Sequence, residues 1–194
     1  TLAGRPGHNV IIDGAVEGLQ KNNSQWQSVS GYGSNAYVMD FPYDFEYEKG
    51  DDPQFYPTAS LADETLLWTY STKAHFKSFF SGSGIYLDHA NKKLYIRFSD
   101  GRNPNKTAVS VSAGIAVVYL NNNASHWHFS NIELRNGGFA VFFIRGEVTN
   151  IELDQMKLTN AIRGFQIWGE GDQVNITNSD FYLGWNPDWY WNNV

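Results

Sequence analysis

Glu152 and Asp154 stand two residues apart in IELDQ, a spacing that puts both carboxylates on one face of an extended strand. Paired carboxylates serve a glycoside hydrolase as acid and as base or nucleophile. Oxygen donors so placed, with Asn175 and Thr177 further along, also suit Ca²⁺. Glu152 and Asp154 are therefore the candidate metal ligands, and Ca²⁺ is the one cofactor to expect. Asp180 and the Glu170/Asp172 pair in GEGDQ are further carboxylates, and the sequence ranks none above the others. The cations Arg135, Arg145, Lys157 and Arg163 point to different chemistry. Removing the proton α to a uronate carboxylate takes a base and a cation that neutralises the carboxylate. Arg145, Lys157 and Arg163 are the candidate catalytic residues for such a lyase step, and each has a plain alternative as a solvated surface charge. His126 and His128 flank Trp127, but two histidines without a third ligand do not make a zinc site.

These residues are positioned by a repeat. WHFSNIELRN begins at Trp127, IELDQMKLTN at Ile151 and VNITNSDFYL at Val174, with offsets of 24 (151 − 127) and 23 (174 − 151). The same slots are filled by Trp127/Phe129/Ile132/Leu134, Ile151/Leu153/Met156/Leu158 and Val174/Ile176/Ser179/Phe181. Alternation with period two, a two-residue corner and renewed alternation cannot describe a helix. A second apolar pair follows, Val141/Phe143 and then Phe165/Ile167, with Ile115/Val117 as a looser earlier copy. No unit can bury its inner face alone, so copies must stack. The reading is all-β: a parallel β-helix with three short strands per coil, at 127–129, 132–134, 141–143, 151–153, 156–158, 165–167 and 174–176. Asn131, Gln155 and Asn178 fall on the corner between the first two strands, and Asn136 and Asn160 just after the second. Asparagine tolerates the left-handed backbone that such corners need.

With those slots inward, the first strand presents His128/Ser130, Glu152/Asp154 and Asn175/Thr177 outward. The second presents Glu133/Arg135, Lys157/Thr159 and Asp180/Tyr182. Glu133, Lys157 and Asp180 then alternate in sign, as cross-strand pairs on a solvated face do. The third presents Ala116/Val118, Phe142/Ile144 and Gln166/Trp168. Exposed apolar side chains in a row mark either a covered surface or a platform for sugar rings. Trp168, Phe142 and Gln166 are the candidate substrate-binding residues. We expect an insertion to cover part of this strand, with a groove where it meets the coils and Arg145 and Arg163 on the flanking turns.

Residues 1–14 read as a first coil, with Val10/Ile11/Ile12 running into Asp13-Gly14. Residues 15–106 lack the repeat and are too long for a bare loop, so they are expected to form a β-rich insertion. Ile85/Leu87 and Leu94/Ile96/Phe98 alternate around His89-Ala90-Asn91, a hairpin near 85–98. One short helix fits within 61–80, with Ser60 as N-cap and Asp63/Glu64 in its first turn. Residues 107–183 are expected to be regular coils. The chain opens at Thr1, and after Leu183 the repeat gives way to GWNPDWYWNNV. Residues 184–194 are expected to begin a further, truncated coil of a longer protein.

Hydrophobic residues make up 42% of the 194, enough for a sizeable core, and the net charge of −6 leaves no basic stripe for nucleic acid. Cysteine is absent, which excludes disulfides and thiolate metal sites. No apolar run approaches the roughly 18 residues of a transmembrane helix. Sequons at Asn22, Asn105, Asn123 and Asn175 are no more than an asparagine-rich chain yields by chance.

GRPGHNVIIDG near the start, GIYLDHANKKLYIRFSDGRNPN after the insertion, and coils of the form IELDQMKLTNAIRGFQIWG resemble right-handed parallel β-helix proteins of the pectate-lyase-like superfamily. The resemblance covers 1–14 and 85–183. That group includes polysaccharide lyases, some glycoside hydrolases and uronan epimerases. It implies a secreted or cell-surface protein with a polysaccharide partner, foremost a lyase on an acidic, uronate-containing polymer. Hydrolase or epimerase activity, or a non-catalytic binding or structural role, are the alternatives. No catalytic motif of one family matches residue by residue, so the resemblance speaks for fold rather than reaction.

Overall fold

The computed structural model describes residues 1–17, 19, 25–43, 57–62, 65–78 and 82–182. Two short strands open the chain, β1 (Leu2–Ala3) and β2 (Ile11–Asp13). A β-rich segment follows, with β3 (Gln27–Ser28), β4 (Ala36–Asp40), β5 (Ala59–Leu61), β6 (Trp68–Tyr70), the helix α1 (Lys73–Ser78), β7 (Gly84–Asp88), β8 (Lys93–Arg97) and β9 (Val109–Val111). Nine strands then cycle through three sheets: β10 (Ala116–Leu120), β11 (Trp127–Ser130), β12 (Glu133–Arg135), β13 (Ala140–Arg145), β14 (Val148–Asp154), β15 (Lys157–Thr159), β16 (Arg163–Trp168), β17 (Gly171–Thr177) and β18 (Asp180–Tyr182).

The first sheet has the order β1-β11-β14-β17, the second β18-β15-β12-β2, the third β10-β13-β16, and all their pairings are parallel. Trp127, Ile151 and Val174 are Cα partners in one column. Leu2, Phe129, Leu153 and Ile176 form the next, and Ile12, Leu134, Leu158 and Phe181 a third. These are the inward slots of the repeat, and Ile151, Leu153, Met156 and Leu158 are almost completely buried. Their burial is the main favourable term holding the sheets together. Ile176 and Phe181, in the outermost described strands, are 38% and 39% exposed, and Trp127, an expected inward residue that β1 does not reach, is 40% exposed.

The corners lie where asparagine predicts them. Asn131, Gln155 and Asn178 have φ of 53°, 52° and 48°, and Asn136 and Asn160 have 63° and 57°. The Asn131 and Gln155 amides donate to Asp154 and Thr177 carbonyls one strand along, at 3.0 and 3.1 Å. Corner polar groups are thus satisfied by the stack itself.

The third sheet departs from expectation by one residue. Val118, Phe142 and Phe165 are partners, as are Leu120, Ile144 and Ile167, so the step from β13 to β16 is 23 rather than 24. Phe142 and Ile144 point into the stack and are fully buried, while Phe143 points outward. Phe165 is only half-buried because β16 ends the described sheet.

The segment between β2 and β10 builds a five-stranded sheet of order β3-β4-β8-β7-β6. Its β7–β8 hairpin is antiparallel, with Ile85, Leu87, Leu94 and Ile96 buried. That core runs without a break into Phe139, Ala140 and Phe143 of the stack, so the segment covers part of the third sheet. β9 pairs antiparallel with β5, and the parallel stack resumes only at Ala116, not at 107. The short helix expected within 61–80 is the six-residue α1, and Thr72 Oγ1 accepts from the His75 amide at its start. Ser60 lies in β5 rather than capping the helix, and Trp68–Tyr70 form β6 because they find a parallel partner in β7. Asp63, Glu64, Phe80 and residues 183–194 lie outside the described residues. No described helix is long and apolar enough to cross a membrane.

Candidate functional site

Because Phe129, Leu153 and Ile176 turn inward on the first sheet, alternation turns their neighbours out. His128, Glu152 and Asn175 are Cα partners across β11, β14 and β17, and Ser130, Asp154 and Thr177 form the parallel column. Neighbours in a column stand about 4.8 Å apart, and the columns about 7 Å apart. Between them runs an open groove of about 510 Å³ lined by His128, Glu152, Leu153, Asp154, Asn175, Ile176 and Thr177.

The two carboxylates differ in setting. Asp154 Oδ1 accepts hydrogen bonds from Asn178 Nδ2 at 2.9 Å and Thr177 Oγ1 at 2.7 Å. Those donors, the Asn178 amide foremost, hold its carboxyl below the usual aspartate range. Glu152 Oε2 instead lies 3.8 Å from His128 Nδ1, an ion pair when the imidazole is protonated. A fixed ionised carboxylate beside a Glu–His pair can abstract, donate or shuttle protons. Glu152, Asp154 and the Asn175 amide also offer oxygen to Ca²⁺. Among the described residues, no three His, Cys, Asp or Glu side chains are grouped to hold a metal ion.

The cations do not gather. Arg163 lies alongside Ala140 and Arg145 alongside Trp168, at opposite ends of the third sheet and five residues (about 16 Å) apart. Arg163 contacts the Gln166 side chain and stacks over the Phe139 ring, 5.1 Å from its centroid. Lys157 belongs to the second sheet, where Nζ is 3.4 Å from Glu133 Oε2 and lies over the Tyr182 ring. Glu133, Lys157 and Asp180 are Cα partners, as the alternating charges predict, but Glu133 is buried rather than on a solvated face.

Of the expected substrate-binding residues, Phe142 is sealed in the core and cannot touch a ligand. The one-residue slip in β13 reverses its direction. Trp168 packs on Phe139 and Phe143 at 5.3 and 5.1 Å, and Gln166 stays partly exposed beside Arg163.

A second open groove, about 480 Å³, follows the corner after the third sheet and is lined by Asn122, Asn123, Gly146, Glu147, Gly169 and Glu170. Gly146 and Gly169 have φ of 82° and 126°, and a Cβ on Gly146 would collide with the Asn122 side chain. Glu147 joins Glu170 there, a neighbour that the sequence reading did not single out. Its signal is the 23-residue spacing. His128 lies in the first groove, as its outward slot predicts, whereas His126 Nδ1 is 3.0 Å from Asn150 Nδ2 at the corner and not in that groove. Comparison of the chain with family models, with curated proteins and with solved structures gave no match.

Proposed function

We propose that the three parallel sheets wind as a right-handed β-helix and that the protein cleaves a glycan by acid–base chemistry in the first-sheet groove. Right-handed crossovers between parallel strands are the rule for right-twisted strands. The observation that carries the activity is the convergence of His128, Glu152 and Asp154 on one open groove. Asp154 takes a proton from the water that attacks the anomeric carbon, or attacks that carbon itself before water releases the sugar, while the Glu152 carboxyl gives its proton to the leaving oxygen as the glycosidic bond breaks, with His128 beside it. Asn175 and Thr177 supply hydrogen-bonding groups for sugar hydroxyls. Catalysis outside the cell, on a secreted or surface-bound protein, fits this substrate.

A lyase acting on a uronate polymer is the second reading. It is favoured by Arg163 and Arg145 at the two ends of the third sheet, within its strands rather than on the flanking turns, with Gln166 between them and Trp168 beside Arg145. The first reading ranks higher because those cations do not meet at one point and because Arg163 is already engaged. If Ca²⁺ takes part, Glu152, Asp154 and Asn175 hold it, and water or substrate completes the six to eight oxygens it takes.

The two readings give different products. A glycan panel digested by the full chain should release reducing ends without an unsaturated uronate chromophore, and Glu152→Gln should abolish the release. Appearance of the chromophore, lost in Arg163→Ala and kept in Glu152→Gln, would establish the lyase reading instead.

A further inference from the structure

We infer that the groove formed by His128, Glu152, Asp154, Asn175 and Thr177 takes a glycan free of carboxylate and sulfate groups and turns uronate polymers away. The inference rests on that groove being the glycan site. Two carboxylates face it, joined by an amide, a hydroxyl and an imidazole, and no Lys or Arg is among its described lining residues. Asp154 Oδ1 is fixed by hydrogen bonds from Asn178 and Thr177, so the carboxylate stays where a substrate must lie. The cations of the neighbouring second sheet are directed elsewhere: Lys157 to Glu133 and Arg135 Nε to Asp13 Oδ2 at 2.9 Å. An incoming uronate carboxylate would meet the Asp154 carboxylate with no Lys or Arg among the described lining residues to neutralise it. The chain's net charge of −6 adds repulsion at longer range. Sugar hydroxyls, in contrast, are donors that carboxylate and amide oxygens accept well.

Affinity electrophoresis of the full chain tests this, with neutral β-glucan, mannan and xylan against polygalacturonate, alginate and heparin. The runs are made above the titration range of an ordinary imidazole, with EDTA and again with CaCl₂. The expected result at low salt is retardation by neutral polymers alone, and that retardation is insensitive to salt. A Glu152→Gln/Asp154→Asn double variant should gain several-fold in affinity for polygalacturonate at low salt, with its melting temperature read alongside. If that variant does not fold, the salt series on the unaltered chain decides, because relieved repulsion shows as acidic-polymer binding that strengthens with salt.

Retardation by uronate polymers at or above the neutral level, in EDTA or only after Ca²⁺ is added, overturns the inference. Binding of neutral polymers without cleavage keeps the inference and removes the acid–base reading. Cleavage of uronate polymers that Glu152→Gln abolishes does the reverse, and no binding to any glycan removes both.

Discussion

The Thr177 hydroxyl donates to Asp154 Oδ1 across 2.7 Å, from the strand next to its own in the first sheet. Asn178, in the corner that follows, donates to the same oxygen. A carboxylate bonded in this way releases its proton more readily than a free one. Thr177→Val or Asn178→Ala should therefore raise the Asp154 pKa toward its ordinary value, read by carbon-detected NMR titration. A titration that does not move would remove these two donors as its cause. Because the folded pKa is depressed, this stabilisation is complete above the unfolded value and is lost as pH falls through the folded one.

Asp13 should govern acid stability more strongly. Burial raises its pKa, but donors from Asn136 (2.7 Å), Ala15 (2.9 Å) and Arg135 (2.9 Å) outweigh burial and hold it low. Those bonds tie β2 to β12 and to the start of the inserted segment. Asp13→Ala should cost about 1–3 kcal/mol by leaving part-buried donors unpaired. In the unaltered chain the contribution is present above about pH 4 and lost below it, as the carboxylate protonates. Denaturant melts across that window check both statements, and equal losses for both proteins at low pH would contradict them.

Leu158→Ala should cost about 2–5 kcal/mol in denaturant melts, since the side chain is fully buried between Leu134 and Phe181. Phe181→Ala, in the same column but 39% exposed, should cost clearly less. Equal losses would show that the column is misplaced.

Gln155 has φ of 52° at its corner. Gln155→Gly should be close to neutral, whereas Gln155→Val should destabilise by about 1–2 kcal/mol, because β-branched side chains resist the left-handed region. Thermal melts of the pair separate backbone strain from loss of the side chain.

On a glycan that the protein cleaves, Glu152→Gln should lower turnover by about 10²–10⁴, the usual range for losing a general acid. Arg163→Ala should leave turnover near that of the unaltered chain. Reducing-end assays on both, with matched melting temperatures, decide whether the first or the third sheet carries the chemistry.

The sequence by itself determined the repeat. Inward and outward residues alternate with period two, and offsets of 24 and 23 can be counted directly. The columns His128–Glu152–Asn175 and Ser130–Asp154–Thr177 follow from that count, as do the left-handed corners at Asn131, Gln155 and Asn178. Tertiary structure alone decided the third sheet. In Val141-Phe142-Phe143-Ile144 every residue is apolar, so alternation carries no signal, and only pairing with β10 and β16 turns Phe142 inward and Phe143 outward. The short helix expected within 61–80 is confined to Lys73–Ser78 for a similar reason. Trp68–Tyr70 became a strand because β7, fourteen residues on, offered its edge. The cations' separation also belongs to the fold, since Arg145 and Arg163 are placed by strand pairing and not by spacing in the chain. Local alternation and corner chemistry are written residue by residue; long-range pairing is settled by which buried surfaces fit together.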